Sequence, residues 1–393
     1  MSRIAGRYEV TVAGGESVRA FVPDPLPPKD PPLDLVRLDA RLRAAEQGVA
    51  RLEVAGAMVP SLDWFIYAFV RKEAVISSQI EGTQATLVDL LNYEAVETGE
   101  DAARPTADVE EVCNYVAALV FARAQLADPA APPLSMRLLN GTHERLMRGA
   151  RGATKLPGEV RRSQNWIGGS RPGNASFVPP PPNLLPEGLS ALEHYIHADD
   201  ALPPLVRAGL LHVQFETLHP YLDGNGRIGR LLISLLLEHW QVLTRPLLYL
   251  SLFFKRHRAE YYRRLALVRN EGDWEGWLDF FLDGVATIAD EAVATARDLF
   301  VLVAADRERL LARPETALAA VRLFELLPTN PIVTSSSVMR LLATSRPTAN
   351  RAIETLVHAG ILLETTGKRR DRAFAYDAYL RRLRDGTEIG DIG

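Results

Sequence analysis

The stretch His219–Trp240, "HPYLDGNGRIGRLLISLLLEHW", joins a proline- and glycine-rich loop to a run that is apolar on nearly every side. A helix without a polar face has to be surrounded, so this segment predicts a central, buried helix with other helices packed around it. The rest of the chain can supply them. Apolar residues recur at helical spacing from Leu33 to about Leu126, over residues 134–152, and from Glu187 to Asp290. With 393 residues, 47% of them hydrophobic, there is enough apolar surface for two or three domains. The expected fold class is therefore mainly α.

Around that body the sequence changes character at three places. Residues 1–33 end in "FVPDPLPPKDPP", a proline-dense arm that cannot be helical and reads as an extended strap. Residues 34–130 form an N-terminal helical region, with Ser61 placed to cap one of its helices, and residues 131–312 form a helical core. Within the core, "PGEVRRSQNWIGGSRPGNASFVPPPP" breaks the helical pattern; its short apolar pieces around "NWIGG" and "SFVPP" suit a small β-hairpin. Residues 313–393 carry three short helical patterns followed by two β-like runs, "ILLETT" and "RAFAYD", about a basic turn. That order is the order of a winged helix-turn-helix.

Composition excludes several classes. The single cysteine, Cys113, rules out an internal disulfide framework and a cysteine-built zinc site, and its setting in a helical pattern makes it a packing residue. There is no 18-residue apolar span, and "MSRIAGRYEV" lacks the apolar core of a signal peptide, so a cytoplasmic protein without membrane contact is expected. With a net charge of −4, any nucleic-acid contact must rest on a local basic patch.

The loop before the central helix carries the densest chemical signal. Gly224, Asn225 and Gly226 supply a flexible turn into a helix expected to begin near Arg227. Amide groups at a helix start, together with the helix dipole, form an anion-binding nest. Arg227 and Arg230 lie three residues apart on one face of the first turn, within reach of anions held there. Asp223 offers a hard carboxylate beside that site, suited to Mg²⁺ shared with phosphate oxygens. His219 is a candidate general base for an attacking hydroxyl. Taken singly, each has an ordinary reading as a structural histidine, a turn or a solvated arginine; their joint spacing points to phosphoryl or nucleotidyl transfer.

"HPYLDGNGRIGR" resembles the signature of the Fic family, usually His-Pro-Phe-x-Asp/Glu-Gly-Asn-Gly-Arg-x-x-Arg, with Tyr221 in place of the usual Phe. The segments "EAVISSQIEGTQATL", "GEVRRSQNWIGG" and "YYRRLALVRNEGDWEGWLDFFL" also resemble bacterial Fic proteins with an N-terminal inhibitory helix, so the likeness spans roughly the whole chain. The resemblance implies transfer of AMP from ATP to a Ser, Thr or Tyr hydroxyl of a target protein, the chain itself included, with release of pyrophosphate. It implies that His219 deprotonates the hydroxyl, Asp223 holds Mg²⁺, and Gly224, Asn225 and Gly226 cradle phosphates. Arg227 and Arg230 would neutralise the β- and γ-phosphates. The hairpin at Trp166, Ile167 and Gly168 resembles a flap that aligns the target chain. Tyr262 and Asn270 resemble residues bordering the adenine, although Tyr261 or Tyr262 equally suits the core. A homodimer is the family's expectation.

In "AVISSQIEGTQATL" the polar residues interrupt an apolar helix. The segment resembles the inhibitory motif Ser/Thr-x-x-x-Glu-Gly/Asn, matched by Ser77, Glu81 and Gly82. If the helix runs that far, Ser77 and Glu81 share a face at i, i+4 spacing. The resemblance pairs Glu81 with Arg230, in the place of the γ-phosphate. Alternatives of chemistry remain open: hydrolysis of AMP from a modified protein with Glu81 positioning water, or transfer of another phosphate-containing group. A rival class is a DNA-binding regulator using residues 344–372, with "TSRPTANRAIETLVHAG" as recognition helix and "GKRRDR" as wing; protein contact is the other use of such a module.

Overall fold

The computed structural model describes residues 3–58, 62–96, 104–149, 152–367 and 372–389. The chain opens with two strands, β1 (Gly6–Ala13) and β2 (Glu16–Pro23), followed by helices α1 (Leu35–Met58), α2 (Leu62–Ile80), α3 (Leu87–Val96) and α4 (Ala107–Ala127). Next come α5 (Met136–Leu146), α6 (Leu185–His197), α7 (Pro204–Leu218), α8 (Asn225–His239), α9 (Ser251–Arg256), α10 (Arg258–Glu271) and α11 (Trp274–Leu311). The C-terminal elements are α12 (Leu318–Leu326), β3 (Ile332–Thr334), α13 (Ser335–Leu341), α14 (Arg346–His358), β4 (Leu363–Glu364), β5 (Ala373–Ala375) and α15 (Asp377–Leu383). The fold is mainly helical with two small antiparallel sheets among the described residues. None of these helices is long and apolar enough to cross a membrane. Ser61, expected as a helix cap, lies outside the described residues.

Two compact units divide the chain: residues 1–53 with 114–290, and residues 54–113 with 291–393. Compactness thus groups the chain differently from divisions at 33, 130 and 312 read along the sequence. The contacts that decide it are long-range and leave no mark in local composition.

The first unit is built around α7 and α8. Every residue of α7 from Leu205 to Leu218 is buried, and α8 is buried from Arg227 through Leu237, as its all-round apolar sequence requires. The two helices approach closely at Gly229, where a Cβ would stand 2.3 Å from a Glu216 carboxylate oxygen. His212 joins three helices. Its Nδ1–H donates to the Gly229 carbonyl of α8 (3.0 Å), which leaves Nε2 to accept from the Tyr261 hydroxyl of α10 (2.8 Å). Burial pushes its pKa down to about 3, so it stays neutral.

Residues 6–23 are not an extended arm but an eight-register hairpin, Gly6 opposite Pro23 through Ala13 opposite Glu16. "YEVTVAGGESVRAF" alternates at period two about Gly14-Gly15, and both glycines adopt positive φ (55° and 81°), as a two-residue hairpin turn of this hand requires. The proline run acts from the end of β2 onward. The hairpin expected around Trp166 is reduced to one antiparallel bridge, Ile167 with Phe177, held by backbone bonds of 2.8 and 3.1 Å. Gly168 and Gly169, both at positive φ, and the prolines after Val178 prevent a longer ladder. The Phe21 N–H donates to the Val178 carbonyl (2.9 Å), so β1, β2, the 177–178 segment and Ile167 succeed one another edge to edge.

In the second unit β3, β5 and β4 form an antiparallel sheet in that order, with α12, α13 and α14 packed together beside it. Helix α2 packs against residues 327–329, and α3 against β3. The basic turn at Lys368–Asp371 lies outside the described residues.

Candidate active site

Helix α7 ends at His219, which adopts a left-handed conformation (φ 49°, ψ 59°) with its N–H on the Phe215 carbonyl (2.9 Å). A non-glycine residue there carries strain of about 1 kcal/mol that neighbouring contacts must offset. Arg161 supplies them. Its backbone N–H donates to the Pro220 carbonyl (2.8 Å) and its Nε to the His219 carbonyl (2.9 Å), while its other nitrogens reach the Ser163 and Pro180 carbonyls. Arg161 is itself buried, and burial lowers its pKa to about 10.

After Pro220 the loop is tied back on itself. Asn225 accepts from the Tyr221 N–H and donates to the Tyr221 carbonyl, both at 2.8 Å. Its side chain therefore holds the loop. Tyr221 is buried; its hydroxyl donates to Asn140 Oδ1 (2.8 Å), which gives the hydroxyl absent from Phe a partner. His143 of α5 stacks flat on the Tyr221 ring with centroids 3.8 Å apart. The Gly158 N–H donates to His143 Nδ1 (2.9 Å), so Nε2 carries the proton and donates to the Asp223 carbonyl (3.0 Å). Burial holds His143 down to a pKa of about 4, so it is a neutral positioning group at neutral pH.

Helix α8 begins at Asn225, two residues earlier than expected, because Gly224 takes φ 79° and a Cβ there would meet Met147 Sδ at 2.9 Å. The Ile228 N–H to the Gly224 carbonyl (3.0 Å) is the first rung of the helix ladder, and the amides of Asn225 and Gly226 precede it. Arg227 and Arg230, both buried, lie in the first two turns. Arg227 stands 3.5 Å from the Asp223 carboxylate, which also accepts from the Gly224 N–H at 2.6 Å. Asp223 is about half exposed.

The structure thus brings His219, Asp223, Gly224, Asn225, Gly226, Arg227 and Arg230 into one loop–helix junction. The segment around Trp166 touches it: Asn165 Nδ2 donates to the Tyr221 and Leu222 carbonyls at 3.4 and 3.3 Å, and Trp166 and Ile167 next to it are exposed. Tyr261 is core, whereas Tyr262 and Asn270 are both exposed on α10.

The second unit carries the acidic turn. Helix α2 ends at Ile80, one residue short of Glu81, and the chain turns through Glu81 and Gly82, the latter at φ 100°. Ser77 is buried on the helix and Glu81 exposed on the turn, so the expected shared helical face is replaced by a helix residue and its closing turn. Glycine at the left-handed position stops the helix.

The residues that position the junction, Arg161, His143 and Asn140, were not predicted. "GEVRRSQNWIGG" contains the first, but its partners lie up to 59 positions away, and only the fold pairs them.

Comparison with known proteins places the chain. A family model described as Fic/DOC family N-terminal matches residues 40–124, and one described as Fic/DOC family matches residues 133–237. Protein adenylyltransferase Fic of Drosophila grimshawi is 33% identical over 146 residues, which cover 36% of this chain and 27% of that protein. The match thus spans about a quarter of that curated relative's length. A Fic family protein from Desulfovibrio desulfuricans shares the fold, with a TM-score of 0.54, 20% identity, and coverage of 86% of this chain and 95% of that one. A Fic domain containing signaling protein from Bacteroides thetaiotaomicron gives a TM-score of 0.52 at 18% identity, covering 65% of this chain and 97% of that one. The chain belongs to the Fic family.

Proposed function

We propose that the chain is a protein adenylyltransferase whose activity Glu81 restrains. The observation that carries the reading is the junction itself: a strained histidine closes α7 beside the start of α8, where two buried arginines stand in the first turns. A nucleoside triphosphate suits that arrangement, because the phosphates gain amide donors, a helix dipole and guanidinium charge together. His219 takes the proton of a target hydroxyl as its oxygen bonds to the α-phosphorus; the bond from that phosphorus to the bridging oxygen breaks, and pyrophosphate leaves. Arg227 and Arg230 balance the charge gathering on the leaving group.

Asp223 fits a Mg²⁺ ion brought in with the nucleotide. It is a single, half-exposed carboxylate beside the phosphate site, and no cluster of three or more metal-ligating side chains exists among the described residues. Mg²⁺ commonly keeps its waters and substrate oxygens and takes only one or two carboxylates. When bound it supplies charge neutralisation to the phosphates. Glu81, in this reading, pairs with Arg230 and displaces the γ-phosphate. A 100-fold restraint corresponds to about 2.8 kcal/mol, a size one charged pair can supply. The target chain would align along Trp166, Ile167 and Gly168.

The test is mass spectrometry of the purified protein, with Glu81→Gly, after incubation with Mg²⁺ and each nucleoside triphosphate in turn. A gain of one AMP from ATP supports the reading; no adduct from any triphosphate removes it. A second role is favoured by α14, which exposes Arg346, Thr348 and Arg351 on the C-terminal module. Read as a winged helix, that module would set α14 against DNA, and binding would weaken steeply with salt.

A further inference from the structure

Gln79 lies in the polar run that interrupts α2, two residues before Glu81, and nothing in the transfer chemistry uses it. It is buried, and both hydrogens of its side-chain amide are engaged: Nε2 donates to the Ala85 carbonyl at 2.9 Å and to the Thr387 carbonyl at 2.9 Å. The first bond closes the loop that begins at Glu81. The second comes from 308 positions away, beyond the last helix.

The turn between them is held at both ends. The Glu81 and Thr83 amides donate to the Ser78 carbonyl (3.0 and 3.2 Å), and the Gly82 amide to the Gln79 carbonyl (3.0 Å). The Thr83 hydroxyl donates to Glu111 (2.9 Å) and the Gln84 amide to Asp108 (2.9 Å), which ties the far end to α4. The near end hangs on Gln79. Thr387 is no loose tail: it is buried, its N–H and hydroxyl return to the Arg384 carbonyl (2.8 and 2.6 Å), and Gly386 at φ 79° shapes the turn. That turn follows α15, whose Tyr379, Leu380 and Leu383 are buried. Just before α15, the Tyr376 hydroxyl donates to Asp306 of α11 (2.7 Å).

We infer that Gln79 is a positioning residue for Glu81, and that the C-terminal residues 385–387 set how firmly the acidic turn is held. The inference rests on the reading of Glu81 as a restraint and adds what governs it. The C-terminal module then has a direct mechanical route to the site's control, because its last turn supplies one of the two carbonyls that fix Gln79. Loss of the Thr387 bond frees one donor of a buried amide, and the restraint should weaken by about fivefold, the worth of one such bond. Loss of both bonds should weaken it further.

The test uses the full chain, the same chain ending at Arg384, Gln79→Leu, Glu81→Gly, and each of the two new variants combined with Glu81→Gly. The readout is AMP incorporated from ATP with Mg²⁺, together with hydrogen exchange of the Gly82–Ala85 amides. Expected are a rise of about fivefold for the shortened chain, a larger rise for Gln79→Leu, and no further rise in either Glu81→Gly combination, with faster exchange at Gly82–Ala85 and unchanged exchange in β1 and β2. If Glu81→Gly raises incorporation while the shortened chain and Gln79→Leu do not, this inference falls and the reading of Glu81 stands. If Glu81→Gly itself gives no rise, the underlying reading falls and takes the inference with it. Unaltered exchange at Gly82–Ala85 in the shortened chain overturns the inference whatever the activity.

Discussion

Two polar turns interrupt apolar helices in this protein, and they are held in different ways. The turn from His219 to Gly224 is fixed by buried groups: the Arg161 guanidinium under the His219 carbonyl, the His143 ring against Tyr221, and the Asn225 amide clasping the Tyr221 backbone. The turn at Glu81 presents its acid on an exposed position and is held by a few separate hydrogen bonds, from the buried Gln79 to the tail after α15 and from the turn to side chains of α4. A group that must meet a transition state gains from rigidity, because each donor is then already aimed where charge will develop. A restraint gains from being adjustable: a turn hung on a few separate hydrogen bonds can be released by changing one of them. On the proposed reading, the stiff turn carries the chemistry and the tunable one its control.

The sharpest way to break this contrast is at the stiff turn. His219→Ala should lower AMP transfer by at least about 100-fold, the lower range for a general base, with helical content and urea midpoint near those of the parent. Transfer that survives removes His219 from the mechanism. Arg161→Met should come next, because several carbonyls lose a buried charged donor at once. A loss of about 3 kcal/mol in urea unfolding, with reduced transfer, is expected. A stability change near zero would show that the left-handed His219 needs no support.

Acid should also find the stiff turn. His143 and His212 are buried neutral, with folded pKa values lowered to about 4 and about 3 from 6.5. The unfolded chain binds those protons first, so stability is full above pH 6.5 and falls as pH drops from 6.5 toward the folded values. His143→Gln should flatten the part of that slope between pH 6.5 and 4, read from urea midpoints at each pH; an unchanged slope contradicts the assignment. The smallest effect is expected from Tyr221→Phe, which restores the family's usual residue. It should cost about 1 kcal/mol through the Asn140 bond and leave transfer intact.

Much of this contrast was legible in sequence on one side only. The loop–helix junction is contiguous, so residues 219–230 announced it, and the all-round apolar run fixed α8 as the core. The β1–β2 hairpin was legible too, in its period-two alternation about Gly14-Gly15, but the proline run after it drew the whole segment into one extended arm. The supports could not be read: Arg161 and His143 act across 58 and 80 positions, and Gln79 across 308. Such pairings follow from packing, and no local pattern encodes them. The same holds for residues 54–113 joining 291–393 in one unit.

The central claim is that this junction moves AMP onto a hydroxyl under restraint by Glu81. The most direct measurement gives the Glu81→Gly chain Mg²⁺ and ATP labelled either at the α- or at the γ-phosphate. The account predicts stable protein labelling from the α-position, none from the γ-position, and loss of the signal when His219→Ala is added. Labelling from the γ-position, or no labelling from either, would contradict it.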